Sequence, residues 1–158
     1  MKKIAIPVLV LLNLLAVFAG GSAFASSPGT GDAQVERYLQ SIHFPSEFRR
    51  SIQEGMRQTS VNSPTAQHLS ELTDEQILVA LVPLVHAQLS DDEARTLADF
   101  FSSPAAQSIA NHQALTADQQ TQVDQFRAKH GALVSRMNQF FRDPNEQRQL
   151  LAALLTAK

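Results

Sequence analysis

Apolar residues recur at helical spacing along nearly the whole chain. Val35, Tyr38, Leu39 and Ile42 fall at i, i+3, i+4 and i+7, which predicts an amphipathic helix with Asp32 as a possible N-cap. Phe44-Pro45 is expected to stop it, because proline disfavours helical geometry in the residue before it. Phe48, Ile52 and Met56 mark a second helix, weakened internally by Gly55. Ser60 to Pro64 reads as a turn-rich break. Ile77 to Leu89 is apolar almost all round, the pattern of a central buried helix. Pro83 inside it is expected to kink or split it. Leu133, Val134, Met137, Phe140 and Phe141 form a further stripe, and Leu150, Leu151, Leu154 and Leu155 form the last. No alternating β-branched run is found outside the N-terminal segment, so strands are not expected.

Three helix starts are written as capping boxes: Thr73 to Gln76, Ser90 to Glu93 and Thr116 to Gln119. In each, a hydroxyl can accept from the backbone N–H three residues on, while a Glu or Gln side chain reaches back. Leu72 and Ile77 occupy the two positions of a hydrophobic staple around the first box. Two echoes run through the second half of the chain. Leu89-Ser90, Leu97 and Phe100 match Leu115-Thr116, Val123 and Phe126 at an offset of 26. Phe100-Phe101-Ser102-Ser103-Pro104 matches Phe140-Phe141-Arg142-Asp143-Pro144 at an offset of 40. The offsets disagree, which points to reused cap-and-stop grammar in place of a solenoid. The fold expected is all-α: one compact, irregular helical domain of about six to eight short helices.

The N-terminus predicts the compartment. Lys2 and Lys3 precede an apolar run from Ile4 to Phe18, and Ala23-Phe24-Ala25 gives a small-x-small cleavage pattern. This reads as a secretory signal peptide over residues 1–25, cut between Ala25 and Ser26. The run is short for a membrane span, and no basic stop-transfer cluster comes after it. Residues 26–31, SSPGTG, read as a flexible tether, and residues 32–158 as the helical domain. The destination expected is the bacterial periplasm. Removing Lys2 and Lys3 lowers the basic count from 13 to 11 against 15 acids, a net charge of −4. No positive stripe suited to phosphates is visible, which argues against nucleic-acid binding. With no cysteine, disulfides, a thiol nucleophile and a lipoprotein anchor are excluded, and packing alone must hold the fold.

The densest stretch is Leu89 to Gln107. Ser90 caps a helix whose first turn carries Asp91, Asp92 and Glu93, suited to the positive end of the helix dipole. Ala94, Leu97, Phe100 and Phe101 form its expected buried face. Ser103-Pro104 ends it and starts the next helix, with serine as cap and proline at the first position. Ala105, Ala106, Ile109 and Ala110 give that helix a thin face. The pattern L-S-x-x-E…L-x-x-F-[YF]-x-S-P-x-[GA]-[QK], carried by Leu89, Ser90, Glu93, Leu97, Phe100, Phe101, Ser103, Pro104, Ala106 and Gln107, resembles a family of secreted bacterial proteins labelled only as a domain of unknown function. The preceding LVPLVHAQL is similar to that family's usual lead-in, and the resemblance spans Leu72 to Gln113. Phe101 stands where the family commonly has tyrosine, and Ala106 where it commonly has glycine. The resemblance implies a helical, exported domain and no assigned reaction.

Reactive residue types are present but poorly grouped along the chain. The five histidines, His43, His68, His86, His112 and His130, lack the i, i+4 spacing of a helical metal pair. His86, His112 and His130 could converge only through the fold, and His86 stands out for lying in an apolar helix. Asp91, Asp92 and Glu93 point about 100° apart in turn, so helix electrostatics explains them better than a shared site. No nucleophile elbow, P-loop or dinucleotide fingerprint occurs. Arg127, Lys129, Arg136 and Arg142 read as a solvated basic side. The reading these residues favour is a non-enzymatic interaction module without a cofactor, with a protein partner possible. Two alternatives stand beside it: an apolar-ligand or lipid carrier with a pocket lined by Phe100, Phe101, Phe140 and Phe141, and a histidine metal site or cryptic hydrolase. The terminal leucine helix is expected to dock on its own domain, or failing that on another chain.

Overall fold

The computed structural model describes residues 30–59 and 63–157. Among them are eight helices and no strand: α1 Thr30–Ser41, α2 Phe44–Thr59, α3 Pro64–Glu71, α4 Asp74–His86, α5 Asp91–Phe101, α6 Pro104–Ala110, α7 Ala117–Arg142 and α8 Pro144–Thr156. None of these helices is long and apolar enough to cross a membrane. The expected cleavage point at Ala25-Ser26 lies outside the described residues.

The capping boxes set the starts of α4, α5 and α7 as expected, with both reciprocal hydrogen bonds present in each. α3 has no counterpart among the helices expected from the sequence. Its start, Ser63 as cap and Pro64 at the first position, repeats the Ser103-Pro104 device of α6. α1 begins at Thr30, inside the expected tether, so Asp32 sits in the first turn and not at the cap. α1 ends before Phe44-Pro45. The stop is His43, whose positive φ of 54° breaks the helix, and Phe44-Pro45 opens α2 instead. Proline is at home there, because first-turn N–H groups have no intrahelical acceptor.

Two expectations about helix shape are corrected. α7 is not short: its 26 residues make a rod about 39 Å long at 1.5 Å per residue. α4 runs unbroken through Pro83 and is not buried all round, since Val79 is 71% exposed. The two facts share a cause. Pro83 removes the N–H that would bond the Val79 carbonyl, and both residues face solvent, where water can take that carbonyl.

α4 is the central helix, packing on α1, α2 and α8, while α1 lies along α5 and α2 along α3. The most enclosed side chains include Leu39, Phe48, Leu69, Ile77, Leu81, Leu97, Met137 and Leu154, drawn from every helix except α6. α6 buries Ala105 and Ala106, but these two and Val123 of α7 lie outside the continuous core. The terminal helix docks at home: Leu150, Leu151 and Leu154 are buried, and only Leu155 is left 36% exposed.

The two disagreeing echoes are one pattern with an insertion. From N-cap to second phenylalanine is 11 residues in α5 (Ser90 to Phe101) and 25 in α7 (Thr116 to Phe141). The 14 extra residues are close to four helical turns, so both ends keep nearly the same phase.

Candidate functional site

Each residue of the family-like segment has a structural job. Leu89, Leu97 and Ala106 are buried. Ser90 Oγ accepts from the Glu93 backbone N–H, and the Glu93 carboxylate accepts from the Ser90 backbone N–H at 2.9 Å. Ser103 caps α6 with Pro104 at its first turn. Gln107 reaches back six residues and donates from Nε2 to the Phe101 carbonyl at 2.8 Å, stapling the α5–α6 corner. Gln147 does the same to the Phe141 carbonyl at 2.9 Å, across the α7–α8 corner.

The four phenylalanines pack against aromatic neighbours, including one another. Phe100 stacks on Phe126 with centroids 3.6 Å apart and planes 5° from parallel. Phe101 meets Tyr38, and Phe141 meets Phe44. Phe100 with Phe101, and Phe140 with Phe141, form edge-on pairs, the arrangement ring quadrupoles favour. Phe100 and Phe101 are half-buried and not fully enclosed as the sequence suggested. Burial pushes the Tyr38 phenol well above its ordinary range, so that ring behaves as a neutral core side chain.

The fold brings together one cluster that sequence spacing does not reveal. His86, at the end of α4, sets Nδ1 2.8 Å from Asp32 Oδ1 of α1 and Nε2 3.2 Å from Asp91 Oδ1 of α5. The imidazole thus ties three helices. A ring protonated on both nitrogens can donate to both carboxylates, whereas a neutral ring has one N–H. The only hint along the chain is an ionisable side chain in an otherwise apolar helix. Nothing local marks Asp32 as its partner, 54 residues away.

Arg136, expected on a solvated basic side, is exposed and also ties α7 to the α4–α5 turn. It meets Glu93 at 2.9 Å and donates to the Gln88 carbonyl at 3.2 Å. The Glu93 carboxyl is held below its ordinary value, first by the Ser90 backbone N–H and further by Arg136, against an opposing push from partial burial. Arg127 pairs within its own helix with Asp124.

The other histidines are dispersed. His43 and His112 both have positive φ just beyond a helix end, and His130 lies beside Phe126. Among the described residues no three His, Asp or Glu side chains gather as a group able to hold a metal ion. An open recess of about 300 Å³ is lined by Gln53, Met56, Arg57 and Ser70 of α2 and α3. It contains none of the expected site residues.

The outer side of α4 is different in kind. Val79, Pro83 and Ala87 are exposed at i, i+4 and i+8, flanked by the partly buried Ala80 and Leu84. From Ile77 to Gln88, His86 is the single ionisable residue. A helix that supplies the core on one side therefore presents an uncharged apolar strip on the other. No protein-family model, curated protein or solved structure matches the chain.

Proposed function

We propose that this is an exported protein of the bacterial periplasm, allied to the secreted family whose motif it resembles, and that it is a non-enzymatic module that binds a protein partner. The observation that carries this reading is the Val79, Pro83, Ala87 strip on α4. Scattered exposed apolar residues are ordinary, but a continuous uncharged helix face suits an apolar partner surface. The groups that could serve acid–base chemistry have structural duties: His86 bridges Asp32 and Asp91, and Glu93 closes a cap and meets Arg136. Phe100, Phe101 and Phe141 pack on Phe126, Tyr38 and Phe44, and Phe140 packs edge-on to Phe141, which favours the binding module over a lipid carrier.

The test is cross-linking in the periplasm from a photoreactive residue at position 79, with adducts identified by mass spectrometry. A discrete protein adduct is expected. In pull-down without a photoreactive residue the tagged chain should retain the same protein, and Val79→Glu should abolish that retention while leaving the melting temperature unchanged. Recovery of only lipid, or retention unaffected by Val79→Glu, overturns the reading. N-terminal sequencing of the exported protein should begin at Ser26, and an intact Met1 would remove the compartment from the proposal.

A further inference from the structure

We propose that α6 and the first half of α7 form a hinged arm, latched to the body by the stack of Phe100 on Phe126 and pivoting at Gly131. Three independent observations converge on this division.

The first is burial. From Ala117 to His130, α7 buries only Val123, whereas after Gly131 it buries Leu133, Met137 and Phe140. Ala105, Ala106 and Val123 are buried apart from the continuous core, while Leu133, Met137 and Phe140 belong to it. Over residues 104–130, Phe126 is the one apolar side chain packed against that core.

The second is pinning. Past Gly131, Arg136 bonds Glu93 and the Gln88 carbonyl of the body. Before it, the side-chain bond that α7 makes to another helix is internal to the arm, from Gln119 Nε2 to Ser108 Oγ at 3.3 Å. The arm's other attachment is the Ser102-Ser103 break, where the Gln107 staple supplies a pivot bond.

The third is Gly131 itself. A Cβ there would meet nothing closer than Arg127 Cγ at 3.9 Å, an ordinary contact. Packing therefore does not require glycine, although glycine weakens a helix interior. It falls at the boundary between the loosely held and firmly held halves of α7. Opening would separate the Phe100 and Phe126 rings, bare a face of each and leave residues 117–130 a helix half without packing. Its backbone bonds then open locally at low energy, as expected of segments with few buried contacts.

Hydrogen exchange on the mature protein tests the arm. Amides of residues 117–130 should exchange through a local opening well before those of 133–142. Gly131→Ala should slow exchange in 117–130 by about fivefold, the factor a glycine-to-alanine change gives inside a helix. Phe126→Ala should speed exchange over 104–130 and leave 133–142 unchanged. Uniform protection along α7, moved as a whole by either substitution, overturns the proposal. Should Phe126→Ala unfold the protein, spin-label distances decide it in the otherwise cysteine-free chain. A pair at Arg95→Cys and Gln125→Cys should give two distance populations, and a pair at Arg95→Cys and Gln139→Cys one. A single narrow population in both pairs refutes the hinge.

Discussion

The two phenylalanine corners, Phe100 to Gln107 and Phe140 to Gln147, are built alike and used differently. Both have an edge-on ring pair, a side-chain N-cap, proline at the first helical position and a glutamine stapled to the second phenylalanine's carbonyl. The α7–α8 corner is sunk into the core, with Phe140 buried and Gln147 only 2% exposed. The α5–α6 corner stays half-buried at the edge. The helix that leaves each corner explains the difference. α8 runs 13 residues and carries Leu150, Leu151 and Leu154 onto α4, whereas α6 runs seven residues and offers two alanines and a half-buried Ile109. Corner geometry is local, and depth depends on the apolar surface the next helix delivers.

That contrast can be broken most forcefully at the leucines. Leu154→Ala should lower unfolding free energy by about 3 kcal/mol, as for other large-to-small changes in a close-packed core. Ile109→Ala in α6 should remove about 1 kcal/mol, since the side chain is already half in water. Equal losses in urea titrations would mean that α6 belongs to the core after all. The staples come next. Gln147→Ala strands the part-buried Phe141 carbonyl and also empties an enclosed site, and should cost about 2 kcal/mol, against about 1 kcal/mol for the half-buried Gln107→Ala.

The caps should erase the contrast. Asp143→Ala removes the bonds from the Asn145 and Glu146 N–H groups and Ser103→Ala the one from the Ala106 N–H, and each should cost about 1 kcal/mol. A large inequality would show that cap energy, like depth, is set by tertiary surroundings. The smallest effect concerns the neighbouring boxes. Glu93 is held below its ordinary value when folded, so its contribution is present at neutral pH. That contribution is lost as pH falls through the lowered value. Glu93→Gln should flatten the acid limb of the stability curve. The corresponding box of α7 closes on the uncharged Gln119, and a charge-conserving change there should leave that limb alone. An unaltered acid limb in Glu93→Gln would assign it to other carboxylates.

Much of the fold is readable along the chain because caps act within four residues. Ser90, Glu93, Thr116, Gln119, Ser103 and Pro104 occupy the positions their residue types require. Sequence patterns mislead where apolar character has to be turned into burial. Val79 is as apolar as Val82, yet Val79 faces water and Val82 the core, because neighbours cover only one side of α4. α3 escapes the periodic pattern because its eight residues offer two buried anchors, Ala66 and Leu69, too few to show a period. Phe44-Pro45 resembles a stop and is a start, since the rule for residues before proline is silent about first turns.

The amino-acid order by itself determined the all-helical class, most helix starts and the paired corners. Each rests on hydrogen bonds between near neighbours, so composition within a few residues suffices. Tertiary structure decided which faces are covered, that His86 would bridge Asp32 and Asp91, that Arg136 would close on Glu93, and that α6 would sit outside the core. Those outcomes depend on which distant surfaces meet, and the same side chain is anchor or solvent-facing according to what the fold sets opposite it.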